Sequence, residues 1–278
     1  DGSFRNLKTI IPMGRVVSAV KPAPMRWWMT FPMTIVDTAF KALSTAIPDQ
    51  VIAGHHADLV ICMFNGVNFK TSEFFIAFVG PTGGGWGAKQ REDGISATVC
   101  LNDGDTHNGP VEQLEAKFPI LVESHSLRQD SGGPGRQRGG LGIESIVQAR
   151  GNITVNTQID RVHCAPWGLD GGGPAAGNSV SVRHDGEWRD DFPNAKMLTA
   201  RLGPGDAFAM RSGGGGGFGP AIERPVESVL RDVRHGYVSL GSAEDDYGVV
   251  CNPETLDLDR TETEKRRADL KLSNPGSD

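Results

Sequence analysis

Glycine is concentrated in short clusters along this chain, and these clusters limit the folds that it can adopt. The 278 residues include 37 glycines, roughly twice the usual share of about 7%. The clusters at 83–87, 132–142 and 213–219 follow no fixed period, which excludes a collagen triple helix. Such clusters are typical of tight turns between strands. We therefore expect a β-rich α+β fold, with a mixed α/β part over 1–142 and a glycine-rich, β-sandwich or barrel-like part over 143–278.

Charge, hydropathy and cysteine spacing exclude several classes of protein. The net charge is −6 and the pI is about 5.7, so the chain lacks the basic field of a nucleic-acid-binding protein. No apolar run is long enough for a membrane-spanning helix. Cys62, Cys100, Cys164 and Cys251 are widely spaced. Because such spacing suits neither a disulfide framework nor a metal cluster, we expect reduced thiols and a cytoplasmic protein.

Hydrophobic periodicity and turn residues predict the elements. Helices are expected at 32–47, 110–118, 225–235 and 260–271, and strands at 143–149, 152–158, 178–183, 187–189 and 206–211. Strands are also expected within 59–79, and two paired strands within 4–20. Asp185-Gly186 predicts a two-residue hairpin turn, since both turn positions need positive φ.

Two glutamates of the predicted helix 110–118 are candidate catalytic residues. Glu112 and Glu115 are three apart and share one helix face, where two carboxylates can share a proton or help to hold a divalent cation. Asp105 and His107, in the polar loop before the helix, could join Glu112 in a metal site, although the spacing matches no standard metal motif. The alternative is that both glutamates are solvated and stabilise the helix end.

The glycine clusters hold the remaining candidate residues. Arg136 and Arg138 offer planar forks for a carboxylate or phosphate; the alternative is that they pair with Asp130 or Glu144 and hold the loop. We expect 128–142 to form a buried or interface-facing turn. Trp86, among glycines, could wall a pocket.

Two other features favour ordinary structural roles. No GK[ST] follows any glycine cluster, so a phosphate-binding loop is not predicted. His55 and His56 are adjacent, and adjacent side chains of an extended chain face opposite sides. We therefore interpret these histidines as part of a surface loop and not as a pair of metal ligands.

Several motifs in series resemble the hydantoinase B/oxoprolinase family. They are GGWG at 84–87, PVEQLEAKFP at 110–119, DSGGPGRQRGGLG at 130–142, PWGL at 166–169, the glycines of 213–219, RDVRHGYVS at 231–239 and DYGV at 246–249. The family includes subunits of N-methylhydantoinase, 5-oxoprolinase and caprolactamase, and larger subunits of acetone and acetophenone carboxylases. The resemblance covers about residues 1–250 and corresponds to the C-terminal half of the B-type subunits.

The resemblance implies an ATP-dependent hydrolase that opens cyclic amides such as hydantoins, 5-oxoproline or lactams. ATP and Mg²⁺ would reside on an A-type partner subunit, and a divalent metal, Zn²⁺ or Mn²⁺, would belong to the missing N-terminal half or to a partner. The candidate catalytic residues are then Glu112, Glu115, Arg136 and Arg138, and the candidate substrate-binding residues are Gly85, Trp86 and Asp130. The alternatives are a subunit of an acetone- or acetophenone-type carboxylase and a scaffold subunit without catalytic residues.

Overall fold

The computed structural model describes residues 5, 8–24, 31–99, 106 and 108–273. The strands are β1 (Ile61–Val67), β2 (Phe74–Val79), β3 (Ile120–Leu127), β4 (Ile143–Ala149), β5 (Ile153–Gln158), β6 (Ser179–His184), β7 (Glu187–Arg189), β8 (Ala200–Leu202) and β9 (Ala207–Arg211). The helices are α1 (Phe31–Leu43), α2 (Val111–Lys117), α3 (Val226–Arg234), α4 (Leu240–Asp245) and α5 (Arg260–Ser273). Among the described residues, no helix is long and apolar enough to cross a membrane.

The strands form two antiparallel sheets. One has the order β2-β1-β5-β8 and the other the order β3-β4-β9-β6-β7. In β4 and β5 every second residue is buried, as expected for strands with one face on a core. Inward residues of both sheets, such as Phe64, Val147, Val155 and Phe208, form one buried cluster. The α+β prediction is confirmed, and both sheets contain strands from either side of residue 142.

Most predicted elements lie within a few residues of the observed ones. The hairpin turn is confirmed, because Asp185 and Gly186 have φ of 49° and 86°. The first helix ends at Leu43, four residues early, and only hydrogen-bonded turns continue to Ile47. The paired strands expected at 4–20 are wrong for the described residues 8–24. Local hydrogen bonds, such as that from Gly14 N to Ser18 O, fold that stretch into turns.

Four extended segments, at 83–88, 137–142, 172–176 and 213–219, lie side by side and form what we call the glycine bundle. The central segment 213–219 bonds to its three neighbours with a period of three residues. Gly85 N and Ala88 N donate to the carbonyls of Gly213 and Gly216, Gly214 N and Gly217 N donate to Ala176 and Gly173, and Gly215 N and Phe218 N donate to Gly140 and Gln137. Three residues per turn without internal hydrogen bonds is polyproline II geometry.

The bundle explains why glycine is required in these segments. A Cβ added to Gly139 would lie 1.6 Å from Gly215 O, and a Cβ on Gly215 would lie 1.8 Å from Trp86 O. Both distances are far below van der Waals contact. Glycine here permits close backbone approach and not mainly tight turns, so the turn interpretation of these clusters is wrong.

Candidate functional site

The two glutamates of α2 have different surroundings. Glu112 is exposed, whereas an Oε1 of Glu115 accepts a hydrogen bond of 2.8 Å from Val122 N on β3. Only Glu115 lines a cavity of about 350 Å³ between α2, the β1–β2 turn and the turn after β4. The structure therefore does not bring the two carboxylates together as a pair in this cavity.

The cavity beside Glu115 has a basic rim. Lys70, Lys117 and Arg150 line it, and Phe69 and Phe118 contribute apolar surface. Hydrogen bonds from Asn68 Nδ2 to Lys117 O and from Arg150 N to Pro119 O hold its walls. Three cations and one carboxylate give the cavity a positive balance that suits an anionic group.

Arg136 and Arg138 pair with carboxylates, but not with those expected from the sequence. Arg136 Nη1 lies 2.9 Å from Glu223 Oε2, and Arg138 Nε lies 3.3 Å from Asp232 Oδ2. Asp130 and Glu144 were the expected partners, and this expectation is wrong. Both observed partners come from the chain after the bundle, because that chain folds back over 128–142.

Arg138 belongs to a buried ionic network. Arg224, with only 2% of its side chain exposed, bonds to both carboxylate oxygens of Asp93 at 2.7 Å and to Asp232 at 2.8 Å. Burial alone would lower the pKa of Arg224, but the bonds and charge of Asp93 and the charge of Asp232 more than offset it and raise that pKa. Arg138 also lies over the ring of Tyr237 at 5.4 Å. The network fixes 136–139 against α3.

Gly85 and Trp86 lie inside the glycine bundle. A Cβ on Gly85 would lie 1.9 Å from Gly140 O. Trp86 is half-buried, and its Nε1 donates to Val99 O at 3.0 Å. Both residues therefore belong to the closely packed glycine bundle.

Asp130 has a left-handed backbone with φ of 57°. Its Oδ1 accepts from Ser239 N at 2.8 Å, and it lines a separate cavity of about 300 Å³ with Ser242, Asp246 and Tyr247. Burial, followed by the charges of Asp245 and Asp130, raises the pKa of Asp246. The candidate residues thus do not form one site: Glu115 lines the basic cavity, Gly85, Trp86 and Arg138 lie in the bundle, and Asp130 lines this acidic cavity. Glu112 and Arg136 lie outside all three.

The interpretation of His55 and His56 as a surface loop is wrong, because both side chains are fully buried. Asp37 of α1 is the polar centre beside them. Its carboxylate accepts from His55 N, from Arg161 Nη1 at 2.7 Å and from Trp167 Nε1 at 3.1 Å. His55 Nε2 and both ring nitrogens of His56 have no hydrogen-bond partner among the described residues.

The sequence signal for this buried cluster was the position of Asp37. It lies four residues after Met33, so the two side chains share one face of α1. The structure shows that this face packs on the core, because both side chains are nearly fully buried. A carboxylate on the core face of a helix needs partners. In the structure Arg161 and Trp167 provide them.

Because both histidines are buried, we expect the free energy of unfolding to fall in mild acid. Burial, aided by the positive charge of Arg161, lowers the pKa of His55 from 6.5 to about 3, and burial beside His55 lowers that of His56 to about 3. The unfolded chain takes up both protons near pH 6.5, but the folded chain only near pH 3. The stabilisation is therefore complete above pH 6.5 and is lost as the pH falls towards 3, by about 1.4 kcal/mol per pH unit for each histidine.

This prediction is checked by urea unfolding between pH 7.5 and 5. His56→Gln should make the fall in unfolding free energy shallower, by an amount that is small above pH 6.5 and approaches about 1.4 kcal/mol per unit below pH 6, while the exposed His235→Gln serves as a control for the loss of a histidine. Burial raises the pKa of Asp58 to about 6, which partly opposes the fall below pH 6 in every variant. Equal slopes for wild type and His56→Gln would contradict a neutral buried His56.

The described residues do not form a metal site. No three His, Cys, Asp or Glu side chains in this part of the chain are placed to hold a metal ion. Asp105 and His107, predicted to join Glu112, lie outside the described residues. A resident divalent metal is therefore not assigned to the described side chains.

Comparisons with known proteins agree with the sequence resemblance. The chain is 32% identical over 280 residues to the caprolactamase subunit beta of Pseudomonas jessenii, which covers 96% of this chain and 47% of that subunit. The crystal structure of the ATP-dependent caprolactamase from the same organism matches 94% of this chain with a TM-score of 0.79 and 27% identity, but only 46% of its own chain. A nucleotide-free acetone carboxylase structure shares the fold, with a TM-score of 0.70, 23% identity and coverage of 84% of this chain and 35% of its own.

The chain thus spans about half the length of the curated relatives that it matches. The family model for hydantoinase B/oxoprolinase matches residues 1–221, which include β1 to β9 and the whole glycine bundle. These observations agree with the motifs found in the sequence, and the chain belongs to the hydantoinase B/oxoprolinase family.

Proposed function

We propose that this chain is part of an ATP-dependent hydrolase that opens cyclic amides, acting with an A-type subunit that binds ATP and Mg²⁺. The observation that carries the proposal is the likeness to the caprolactamase beta subunit over nearly the whole chain, at 32% identity. The match to the caprolactamase structure is also closer than that to acetone carboxylase, in TM-score and in coverage. The hydrolase is therefore preferred to the carboxylase.

The reaction needs activation because the amide carbonyl of a ring such as a lactam is a poor electrophile. Transfer of the terminal phosphoryl group of ATP to the amide oxygen would release ADP and make the amide carbon a better electrophile. Attack of water on that carbon would break the ring C–N bond as the nitrogen takes up a proton, and hydrolysis of the resulting acyl phosphate would release phosphate. The chain itself has no GK[ST] phosphate loop, which supports placing the nucleotide on a partner.

The candidate residues divide by their accessibility. Glu115 lines the basic cavity and Arg136 keeps 35% of its side chain exposed, so we propose these two for contact with substrate or intermediate. Arg138 and Gly85 are buried, and we propose that they position the glycine bundle that carries Trp86. Asp130, in the separate acidic cavity, is proposed only as a substrate-binding residue. Glu112, which is exposed outside the cavity, would act only if another chain covers it.

The proposal is tested by co-expressing the chain with an A-type subunit and the missing portion of a B-type subunit. We expect release of ADP or AMP that depends on a hydantoin, 5-oxoproline or a lactam. Nucleotide turnover that depends on acetone or acetophenone with bicarbonate would show that the complex is a carboxylase and would contradict the proposed hydrolase.

A non-catalytic scaffold gives a different result in the same assay. If Glu115→Gln and Arg136→Ala change only the assembly of the complex and leave the turnover of the assembled complex at the wild-type value, the chain contributes no chemistry. We expect both variants to assemble normally and to lose most of their turnover, about tenfold or more.

A further inference from the structure

The outward face of β2 carries a row of exposed apolar side chains. Phe74, Ile76 and Phe78 are 65%, 57% and 50% exposed, while the intervening Phe75 and Ala77 face the core. Val67 on β1, which lies opposite Phe74, is 58% exposed. Contiguous apolar surface of this kind on a soluble fold marks an interaction site.

The position of β2 strengthens this interpretation. β2 is the edge strand of its sheet, and its sequence FFIAFV contains no charge and no proline. Exposed edge strands are normally protected by lysine, proline or a bulge, and β2 has none of these in its sequence or its regular pairing with β1. An edge without such protection is expected to be covered in the functional protein.

The chemistry of the surroundings defines the surface that would cover this face. The basic rim of Lys70, Lys117 and Arg150 lies beside the β1–β2 turn, at the end of the sheet where Val67 pairs with Phe74. Towards β5 the same outward face becomes polar, since Thr154 pairs with Asn65. A complementary surface is therefore apolar over β2 and acidic beyond the turn.

We propose that the outward face of β1 and β2, with the basic rim next to it at the β1–β2 turn, binds the portion of the B-type polypeptide that this chain does not span. That portion amounts to more than half of the relatives' length, because the chain covers 43–47% of them. A sheet buries one face on its own core, and an apolar second face requires another layer. The missing portion supplies that layer, with carboxylates against Lys70, Lys117 and Arg150.

This proposal rests on the family membership and not on the proposed activity. It is tested by co-expressing the chain with the portion of the caprolactamase subunit beta that lies outside the matched stretch. The positive control divides caprolactamase subunit beta into two separate chains, the stretch that matches this chain and the portion that does not, and co-expresses them. We expect a one-to-one complex by light scattering coupled to size exclusion, with slower amide exchange over 74–79 in the complex.

Matched variants locate the interface. Ile76→Lys should weaken the complex by at least about thirtyfold, because it places a charge in the apolar centre. Thr154→Lys, on the same outward face two strands away, should leave the affinity unchanged. Lys70→Glu with Arg150→Glu should weaken binding and reduce its dependence on salt. Circular dichroism of each isolated variant verifies that the chain still folds.

Three results would overturn the proposal. In the first, the caprolactamase portion joins its own counterpart but not this chain. In the second, it binds the Ile76→Lys variant as tightly as wild type. In the third, the chain alone forms a dimer that Ile76→Lys dissociates, which would assign the face to a second copy. Assembly is scored without ATP or substrate, so a complex that forms but opens no ring refutes the activity and leaves this inference standing.

Discussion

Gly139→Ala should prevent the chain from reaching its native fold. The added Cβ would lie 1.6 Å from Gly215 O and 3.0 Å from Gly133 N, and both contacts are backbone atoms that cannot rotate away. Gly215 is itself held, because its N donates to Gly140 O and its O accepts from Gly133 N. Relief would require segments of the glycine bundle to move apart and to lose hydrogen bonds. We expect a loss of more than about 4 kcal/mol of unfolding free energy.

The comparison that isolates this effect is Gly241→Ala. Gly241 lies in α4, where an added Cβ meets only Ser239 Oγ at 3.9 Å. Alanine favours a helix by about 0.5–1 kcal/mol over glycine, so this variant should be neutral or slightly more stable. Denaturant unfolding followed by circular dichroism gives both values. A Gly139→Ala chain that unfolds at the wild-type denaturant midpoint would rule out the close packing of 137–142 on 213–219.

The sheets could be predicted from the sequence because their signals are local. Alternation over 143–149 and 153–158 reports one buried face, and Asp185-Gly186 requires the backbone of a tight hairpin. The glycine bundle could not be predicted in this way. A glycine cluster is compatible with a tight turn and with close packing against another backbone segment. Which of the two forms depends on the segment that packs against it. For Gly139 that partner is Gly215, which lies far along the chain.

The ionic and histidine clusters could not be predicted for the same reason, because their partners lie far away in the sequence. The prediction that Arg138 neutralises a carboxylate is confirmed, but its partner Asp232 lies 94 positions away and could not be identified from the sequence. His55 and His56 were judged from their alternation alone, while their burial depends on packing beside Asp37, Arg161 and Trp167. The family motifs GGWG and the glycines of 213–219 lie against each other in the structure, where Gly85 N donates to Gly213 O. They did not reveal which side chains reach solvent.

Asp232→Ala should cost about 3–5 kcal/mol of unfolding free energy. The Asp232 carboxylate contacts both Arg138 and Arg224, whose side chains are 6% and 2% exposed. Its removal leaves two buried guanidinium groups with Asp93 as their remaining carboxylate. Asp93 bonds to Arg224 with both oxygens but reaches Arg138 only at the backbone N. The Arg138 side chain would then be a buried charge without a carboxylate partner, which is the costly outcome.

Asp257→Ala provides the matched control, because Asp257 pairs with Arg234 at 3.2 Å on the surface, with both side chains more than half exposed. That pair should contribute less than about 1 kcal/mol. The same experiment decides the role of Arg138. If Arg138→Met lowers the melting temperature but leaves turnover of the assembled enzyme unchanged, Arg138 holds the glycine bundle and performs no chemistry. If Asp232→Ala is no more destabilising than Asp257→Ala, the buried network does not anchor 136–139 to α3, and the division of the candidate residues by accessibility loses its structural basis.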